Sequence, residues 1–430
     1  MSARSPATSG DTSWFVGGRF GLFIHWGIYA LPARGEWVKS RERIADEDYQ
    51  RHFDHFDPDL YDPAAWAREA KNAGMKYFVV TTKHHDGFCL WDSALTDYKA
   101  TNTPAGRDLL APMVEAFRAD GFKVGFYHSL IDWHHPEFPI DGLHPMRDDV
   151  GFREAEKDRD LTTYVDYLHG QTRELLTGLG KIDIMWFDFS YRNHDWGWAR
   201  GKGKDDWQSE KLVKMVRELQ PAIIVNDRMD IGGDFKTPEQ YQPRGWLRVD
   251  GKPVVWEACH TFSGSWGYDR DNLNWKSSQL LIQMLIDTVS KGGNFLLNVG
   301  PNARGEFEPK AVERLRDIGE WMRLHGRSIC GCTASDFAPP PDCRYTQKGN
   351  RLYLHLFAWP FTHIHLDGMA DKVEYAQLLN DGSEIKRLTI DPKQAPETVR
   401  MRGTPGTLTL QLPVQKPPVA VPVIELFLKA

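Results

Sequence analysis

Short apolar segments alternate with amphipathic ones between about residues 20 and 325, and this alternation constrains the fold more than any other feature of the sequence. The apolar segments have the length and near-continuous hydrophobicity of strands that are covered on both faces, and the amphipathic segments have helical spacing. Strands that alternate with helices form a parallel sheet with right-handed crossovers. This part of the chain is therefore predicted to have an α/β fold.

The alternation predicts seven strands and six helices. We expect the strands at residues 20–25, 77–81, 123–127, 182–186, 222–226, 254–256 and 294–298, and the helices at 63–73, 109–119, 161–179, 207–219, 277–290 and 309–324. About 300 residues of this pattern suit a closed (β/α)8-like barrel better than an open sheet, with an eighth strand in irregular sequence. No Gly-x-Gly-x-x-Gly loop follows the first strand, which argues against a dinucleotide-binding fold.

The pattern changes after residue 335. A proline-rich turn at residues 338–342 is followed by segments in which apolar and polar residues alternate with a period of two, at residues 351–357, 363–366, 407–412 and 423–427. Such alternation is typical of strands with one buried face, and the Asn-Asp-Gly sequence at 380–382 is a turn signal. The sequence therefore predicts a catalytic barrel over residues 1–334 and a small all-β domain, a sandwich, over residues 335–430.

Composition limits the partners and the cellular compartment. A net charge of −6 over 430 residues gives no electrostatic reason to expect a nucleic-acid or membrane partner. Five cysteines are too few and too unevenly spaced for a disulfide framework, and residues 1–11 lack the apolar core of a secretory signal. We therefore expect a cytoplasmic protein with free thiols. The sequence leaves open whether copies of the chain form a homo-oligomer.

Polar or aromatic residues follow six of the seven predicted strands. They are His25 and Trp26 after the first, residues 83–88 after the second, Tyr127 and His128 at the third, Asp188 after the fourth, residues 226–228 after the fifth and Glu257 after the sixth. In a (β/α)8 barrel the carboxyl ends of the strands carry the chemistry. Six such endings on one rim predict an active site there.

Two kinds of carboxyl group are candidates for this chemistry. Asp188 follows a buried strand among aromatic residues, where a carboxylate is costly to desolvate unless a neighbour such as Arg228 holds it. The simpler interpretation is an aspartate that caps the next loop.

Glycoside hydrolysis needs a second carboxyl group, and two are available. Glu239 lies on a loop from which a proton donor can reach in, and burial among aromatics would raise the pKa of Glu257, so the residues alone leave both candidates open.

Three histidines raise the alternative of a metal-dependent hydrolase. Imidazole is a common metal ligand, and His25, His84 and His85 all follow predicted strands. Neighbouring strand residues point to opposite faces, so His84 and His85 share a site only if the chain bends there. A third ligand at helical spacing is absent from the sequence, which therefore predicts no metal site.

Taken together, these segments resemble the retaining α-L-fucosidases of glycoside hydrolase family 29. The resemblance spans most of residues 15–325 and is carried, in the family's order, by residues 19–27, 35–37, 73–78, 82–88, 186–188, 225–228, 234–239, 264–268 and 290–301. It implies a barrel with a C-terminal β-sandwich and no metal or organic cofactor. It also implies an exo-acting enzyme that releases terminal fucose from oligosaccharides or glycoconjugates through a covalent fucosyl-enzyme intermediate.

The resemblance also assigns roles to residues. Asp188 matches the family's nucleophile, and Glu239 matches the acid/base of members whose loop reads Asp-Phe-Lys-Thr-x-Glu, whereas other members place the acid at a position like Glu257. Tyr127 and His128 stand where the family usually has two tyrosines, and both are expected to contact the sugar. The residues that match contacts to the fucose hydroxyls are His25, Glu36, Trp37, His84, His85 and Arg228, and those that match aromatics flanking the sugar and its methyl group are Trp186 and Trp266.

A non-catalytic sugar-binding protein built on a decayed barrel is the main alternative from another functional class. Such a protein would keep the aromatic residues and lose a carboxylate. Asp188 and both candidate acids are present in this chain. The sequence therefore favours an enzyme.

Overall fold

The computed structural model describes residues 8–389 and 406–429, so residues 1–7 of the N-terminal segment lie outside it. Within the described residues, helices and strands alternate up to residue 328 and strands follow. The α-helices are α1 (Ser13–Gly18), α2 (Val38–Arg41), α3 (Asp46–Asp54), α4 (Pro63–Asn72), α5 (Leu110–Ala119), α6 (Val150–Ala155), α7 (Leu161–Gly178), α8 (Ser209–Leu219), α9 (Ser278–Ser290) and α10 (Pro309–His325), and short 3-10 helices occupy Ile28–Ala30, Ala100–Asn102 and Gly326–Ser328.

Among the described residues, nine strands lie in the first part of the chain and seven in the last. They are β1 (Phe20–Ile24), β2 (Tyr77–Lys83), β3 (Lys123–Ser129), β4 (Ile184–Asp188), β5 (Ile224–Val225), β6 (Arg248–Val249), β7 (Lys252–Pro253), β8 (Glu257–Thr261), β9 (Asn294–Val299), β10 (Cys343–Lys348), β11 (Arg351–Leu356), β12 (His363–Leu366), β13 (Val373–Leu378), β14 (Lys386–Thr389), β15 (Leu408–Gln411) and β16 (Val423–Leu428). All six predicted helices are confirmed, with ends within two residues of the expected ones.

A curled parallel sheet forms the centre of the molecule. Its seven strands lie in the order β5-β4-β3-β2-β1-β9-β8, and every neighbouring pair is parallel. Leu22 of β1 pairs with Phe78 of β2 on one side and with Leu297 of β9 on the other. The first strand thus lies mid-sheet, as expected when a sheet curls round to form a barrel. The predicted parallel α/β architecture is confirmed.

The gap between β5 and β8 is filled by residues 234–240, which we call the closing segment. It forms isolated parallel bridges on both sides: Phe235 pairs with Asn226, directly after β5, and on the other side Lys236 pairs with Trp256 and Glu239 with Cys259 of β8. The backbone N–H of Gln240 donates to the carbonyl of Cys259 at 3.0 Å, and that of Cys259 donates to the carbonyl of Pro238 at 3.1 Å. Because proline has no N–H to donate, this segment forms no continuous ladder. It is the eighth strand position, and Glu239 lies at its carboxyl end.

Alternation of side chains along the strands divides the apolar residues into two layers. Tyr127 and Trp186 point into the barrel, together with Phe23, and belong to one cluster of buried residues. Phe126 and Met185, next to them in sequence, belong to another cluster, between the sheet and the helices. Because adjacent strand residues point to opposite faces, only every second residue of each strand can contribute to an internal site.

The helices begin where the sequence supplies capping residues. Asp62 accepts a hydrogen bond from the N–H of Ala65 at 3.0 Å and precedes Pro63, the first residue of α4. Asp160 and Ser277 cap α7 and α9 in the same way. A side-chain acceptor satisfies one of the N–H groups that a helix leaves free at its start, and proline needs no acceptor there. These caps set the points at which each helix turns back along the barrel.

The last strands form a β-sandwich, as predicted. One antiparallel sheet has the order β10-β11-β16-β13 and the other β12-β15-β14, and residues from both share one apolar core that includes Leu354 and Leu410. Three of its strands, β10, β13 and β14, were not predicted. A hydrogen bond joins the sandwich to the barrel: the indole N–H of Trp321 in α10 donates to the carbonyl of Val421, which precedes β16, at 2.8 Å. The exact domain boundary at residues 334 and 335 stays a prediction.

No helix within residues 8–389 and 406–429 is long and apolar enough to cross a membrane. The five cysteines are free thiols, as expected, and four of them are buried.

We predict that Asp234→Ala lowers the free energy of unfolding by about 3 kcal/mol, because hydrogen bonds to a buried charged group contribute roughly 1.5–3 kcal/mol each. Asp234 anchors the closing segment: its carboxylate accepts from the N–H groups of Gly10 and Val225, both at 2.8 Å, and pairs with Arg217. Urea denaturation measures the change. The exposed Asp158→Ala is the control, and an equal, small effect of both substitutions would contradict the anchoring role.

Candidate active site

An open cavity lies at the carboxyl ends of the barrel strands, with about 380 Å³ of empty space that includes the solvent at its mouth. Its walls combine two carboxylates and one guanidinium with histidines and aromatic side chains. The lining residues are Phe23, His25, Trp37, His84, His85, Tyr127, Trp186, Asp188, Phe189, Arg228, Glu239, Cys259 and Trp266. The structure thus brings together ten of the residues singled out in the sequence, at the rim where the strand endings predicted a site.

Asp188, the last residue of β4, is held at both carboxylate oxygens. Oδ1 accepts from Nη1 of Arg228 at 3.0 Å, and Oδ2 accepts from the hydroxyl of Tyr127 at 2.9 Å. Burial raises the pKa of Asp188 above its ordinary value, while the charge of Arg228 and the hydrogen bond from Tyr127 act in the opposite direction. The two donors therefore stabilise the ionised carboxylate against its burial.

Arg228 links Asp188 to Glu239. Its Nη1 lies 2.8 Å from Oε2 of Glu239, and its Nε and Nη2 donate to the hydroxyl and the carbonyl of Thr237 at 2.9 and 3.1 Å. Since oxygens of Asp188 and Glu239 contact one nitrogen, they lie no more than about 6 Å apart, a limit that includes the separation of about 5–5.5 Å in retaining glycosidases and is shorter than the roughly 6.5–9.5 Å of inverting ones.

The two carboxyl groups differ in exposure. The side chain of Asp188 is 13% exposed, whereas that of Glu239 is 40% exposed. With both carboxylates ionised, the set formed with Arg228 carries one net negative charge, and one added proton makes it neutral. The buried, doubly held Asp188 and the partly exposed Glu239 therefore have different surroundings, as an attacking group and a proton donor require.

His84 and His85 both line the cavity because the chain bends after β2. The strand ends at Lys83, and a turn follows in which the N–H of Gly87 donates to the carbonyl of His84 at 3.1 Å. Gly87 adopts a φ of +84°, a conformation that a residue with a side chain rarely takes up. The condition under which two adjacent histidines can share a site is therefore met.

Burial keeps the cavity histidines neutral. It lowers the pKa of His25 to about 3, and it lowers the pKa values of His84 and His85 well below the ordinary value. Nδ1 of His25 lies 2.6 Å from the amide oxygen of Asn298, and Nδ1 of His85 lies 2.6 Å from the hydroxyl of Ser129. A neutral imidazole has one donor and one acceptor, so with Nδ1 engaged each of these two rings offers Nε2 to a ligand.

These histidines do not form a recognisable metal site. Within the described parts of the chain, no group of three or more histidine, cysteine, aspartate or glutamate side chains is arranged to hold a metal ion.

Glu257 does not lie at the rim, contrary to the sequence prediction. It is the first residue of β8 and not the last residue of a strand. The hairpin β6–β7 ends at Pro253, and the ladder between β8 and β9 starts only at Glu257. Its side chain is fully buried and does not line the cavity. Its oxygens accept from the hydroxyl of Tyr77 at 2.6 Å and from the indole N–H of Trp186 at 3.2 Å, and burial raises its pKa to about 7.

Two further predicted residues lie outside the cavity. His128 follows Tyr127 on β3 and so points to the other face of the sheet, where its Nδ1 lies 3.0 Å from the hydroxyl of Thr82. His128 does not line the cavity, so the expected contact between His128 and the sugar is wrong. Glu36 is buried, and its Oε2 accepts from the N–H of Gly267 at 2.7 Å. It thus fixes the loop that carries Trp266.

Sequence reasoning missed three lining residues, Phe23, Phe189 and Cys259. Phe23 lies two positions before His25 in sequence, and this spacing alone would have placed both on the inner face. Phe189 has a φ of +83°, which is strained for a bulky residue and which turns the chain directly after Asp188. Cys259 lies beside the closing segment, whose position no sequence pattern indicated.

Residues 3–327 of the chain match the sequence profile of α-L-fucosidases. The chain belongs to the α-L-fucosidase family. The tissue α-L-fucosidase of Bos taurus is 30% identical to it over an alignment of 388 residues, which covers 81% of this chain and 75% of that relative. The family resemblance inferred from the motifs is thus confirmed, and the chain is a glycoside hydrolase.

Solved structures of the family share the whole architecture. α-L-Fucosidase isoenzyme 1 of Paenibacillus thiaminolyticus is 48% identical, with a TM-score of 0.90 over 97% of this chain and 99% of that chain. A family 29 α-L-fucosidase of Bacteroides thetaiotaomicron is 27% identical, with a TM-score of 0.83 over 100% and 98% of the two chains. That structure holds a trapped covalent intermediate in a complex with 2-fluoro-fucosyl fluoride.

We predict that Tyr127→Phe lowers kcat/KM for an aryl α-L-fucoside roughly 10- to 100-fold, because it removes a hydrogen bond to a charged group. That hydrogen bond lowers the pKa of Asp188, so its loss raises this pKa further. The acidic limb of the kcat/KM profile should therefore move to higher pH.

A matched control is Tyr61→Phe, because the hydroxyl of Tyr61 donates to the carbonyl of Leu109 and not to a residue that lines the cavity. It should leave the pH profile unchanged. An acidic limb that stays in place in Tyr127→Phe would show that Asp188 does not control this limb.

Proposed function

We propose that this enzyme is an exo-acting, retaining α-L-fucosidase that hydrolyses terminal α-L-fucose from oligosaccharides or glycoconjugates by double displacement. The observation that carries the proposal is the shared contact of Asp188 and Glu239 with Nη1 of Arg228 in one cavity. Two carboxyl groups at this separation suit a mechanism in which one attacks the sugar and the other transfers a proton.

In the first step, Asp188 attacks the anomeric carbon while Glu239 gives its proton to the glycosidic oxygen. The bond to the leaving group breaks, and a covalent fucosyl-enzyme forms. In the second step, Glu239 takes a proton from a water molecule that attacks the same carbon, and the ester bond to Asp188 breaks. Fucose leaves with its original configuration, and both carboxyl groups return to their starting states. The covalent intermediate trapped in the Bacteroides thetaiotaomicron relative supports this route.

The acid/base role falls to Glu239 and not to Glu257. A proton donor must reach the leaving oxygen and then a water molecule, and the side chain of Glu239 is partly exposed at the mouth of the cavity. Glu257 lies behind Trp186, and each of its oxygens already accepts a hydrogen bond from the protein. A raised pKa alone does not place Glu257 within reach of a substrate.

The walls of the cavity suit a deoxy sugar that enters from its free end. Neutral His25, His84 and His85 offer donors and acceptors to hydroxyl groups. Aromatic residues such as Trp186 and Trp266 offer apolar surface to the methyl group and the C–H bonds of the ring. Trp186 lines the cavity with the buried Glu257 behind it, and this wall inside the barrel supports a terminal fucose as the substrate.

The stereochemical test of this proposal is proton NMR of the first sugar released from an aryl α-L-fucoside. We expect α-L-fucose to appear first and then to mutarotate, since two inversions at the anomeric carbon restore its configuration. The aryl β-D-galactoside and α-L-galactoside are the specificity controls and should be cleaved far more slowly. If β-L-fucose appears first, Asp188 does not act as a nucleophile.

We predict that Glu239→Ala lowers kcat/KM roughly 100- to 10,000-fold for fucosides with poor leaving groups and much less for activated aryl fucosides, because the latter need little protonation. Added azide should restore turnover of the activated substrates and yield fucosyl azide.

The control substitution is Glu320→Ala, which removes an exposed carboxyl group on α10. It should change neither kcat/KM nor the response to azide. The same pattern in a Glu257 variant, and not in Glu239→Ala, would reverse the assignment. If neither variant shows it, the general acid is another residue.

A further inference from the structure

Glu257 is a buried carboxyl group that takes no part in the steps described above. Among the described residues no lysine, arginine or histidine forms an ion pair with it, and its two hydrogen-bond donors are neutral. A carboxylate without a paired cation is costly to bury, and apolar residues of similar volume would fill the same space at less cost. Its presence therefore needs a reason beyond packing.

The hydrogen bond to Trp186 gives such a reason. The indole ring of Trp186 lines the cavity, and its N–H donates to Oε1 of Glu257 at 3.2 Å. The ring also contacts the two groups that hold the nucleophile. The guanidinium of Arg228 lies 4.8 Å from the ring centre, and the ring of Tyr127 stacks on it at 5.7 Å and 23°.

Both of these neighbours donate hydrogen bonds to Asp188. Arg228 donates to one carboxylate oxygen and Tyr127 to the other. A rotation of the indole about its side-chain bonds would therefore displace both donors at once. The N–H of Trp186 is the only polar group on that ring, so a fixed acceptor behind it determines the ring's orientation.

We propose that Glu257 is a positioning residue, which fixes the indole of Trp186 and through it the Arg228 and Tyr127 side chains that orient Asp188. The inference rests on the proposed function, because it assumes that Asp188 is the nucleophile.

The chemistry of the acceptor favours a carboxylate at this position. Both neighbours of Glu257, the Trp186 N–H and the Tyr77 O–H, are donors, and above its pKa of about 7 the carboxyl group is ionised and accepts at both oxygens. A glutamine would present an N–H group to one of them. A hydroxyl or a water molecule could serve one donor, but it could not span both with fixed geometry.

A double-mutant cycle between positions 257 and 186 tests the proposal. The four proteins are the wild type, Glu257→Leu, Trp186→Phe and the double variant, assayed with aryl α-L-fucosides of different leaving-group quality. Glu257→Leu should lower kcat/KM roughly 10- to 100-fold, because small displacements of reacting groups have effects of this size. The loss should be the same for all leaving groups, should appear mainly in kcat, and should not be rescued by azide.

In the Trp186→Phe background, which lacks the N–H, the same substitution should change kcat/KM less than about threefold, because the two residues act as one unit. The matched control is Tyr77→Phe, which removes the other donor to the same carboxylate and leaves the Trp186 contact in place. It should change kcat/KM less than about threefold.

Three results would overturn the proposal. The first is an equal loss from Glu257→Leu in both backgrounds, and the second is a loss in Tyr77→Phe as large as that in Glu257→Leu. The third is rescue of Glu257→Leu by azide, which would make Glu257 the proton donor. If Glu257→Leu does not fold, its combination with Tyr77→Phe, which removes one of the two donors that would lose their acceptor, takes its place in the cycle.

The outcome is distinct from the test of the proposed function. Inversion in the NMR experiment would remove the nucleophilic role of Asp188, whereas an uncoupled cycle in a retaining enzyme would remove only the role of Glu257.

Discussion

A single guanidinium between two carboxylates is the interaction on which the rest of the site depends. Arg228 contacts Asp188 and Glu239 through the same nitrogen, and its other nitrogens are held by Thr237. Without this cation, two carboxylates in one cavity would repel each other. Its position between them is the basis for the proposed division of roles, in which Asp188 attacks and Glu239 transfers a proton.

The barrel supports this interaction through its least regular part. Thr237 and Glu239 belong to the closing segment, which bridges β5 and β8 by isolated contacts and is anchored by Asp234. A regular strand in this position would alternate strictly and would be confined by a full ladder. The irregular backbone around Pro238 instead places Thr237 against Arg228 and leaves Glu239 partly exposed at the rim.

Much of the fold could be predicted because its strands and helices carry strong periodic signals. The helices of the barrel have apolar faces and capping residues such as Asp62, Asp160 and Ser277, so their limits were predictable to within two residues. The rim residues were predictable because strands such as β1 and β4 are short, buried and followed at once by polar side chains.

The remaining features depend on tertiary contacts that leave no local signal. The closing segment has no apolar period, and β8 begins three residues later than the run 254–256 suggested, which moved Glu257 from the rim to the interior. His128 was included because it adjoins Tyr127, although strand alternation turns it to the outer face. Phe23 was left out because an apolar residue within a buried strand looks like core, and here the core and the cavity wall share the same face.

The most direct test of the central claim is to identify the residue that carries the sugar during turnover. A 2-fluoro-fucosyl fluoride has a good leaving group, and its fluorine slows the second step, so the covalent intermediate accumulates. The labelled protein is digested and the modified peptide is sequenced by mass spectrometry, with Asp188→Asn as the control. We expect one fluorinated sugar per chain, attached to Asp188 and absent from the control. A label on any other residue would contradict the assignment of the nucleophile and the account of the site built around it.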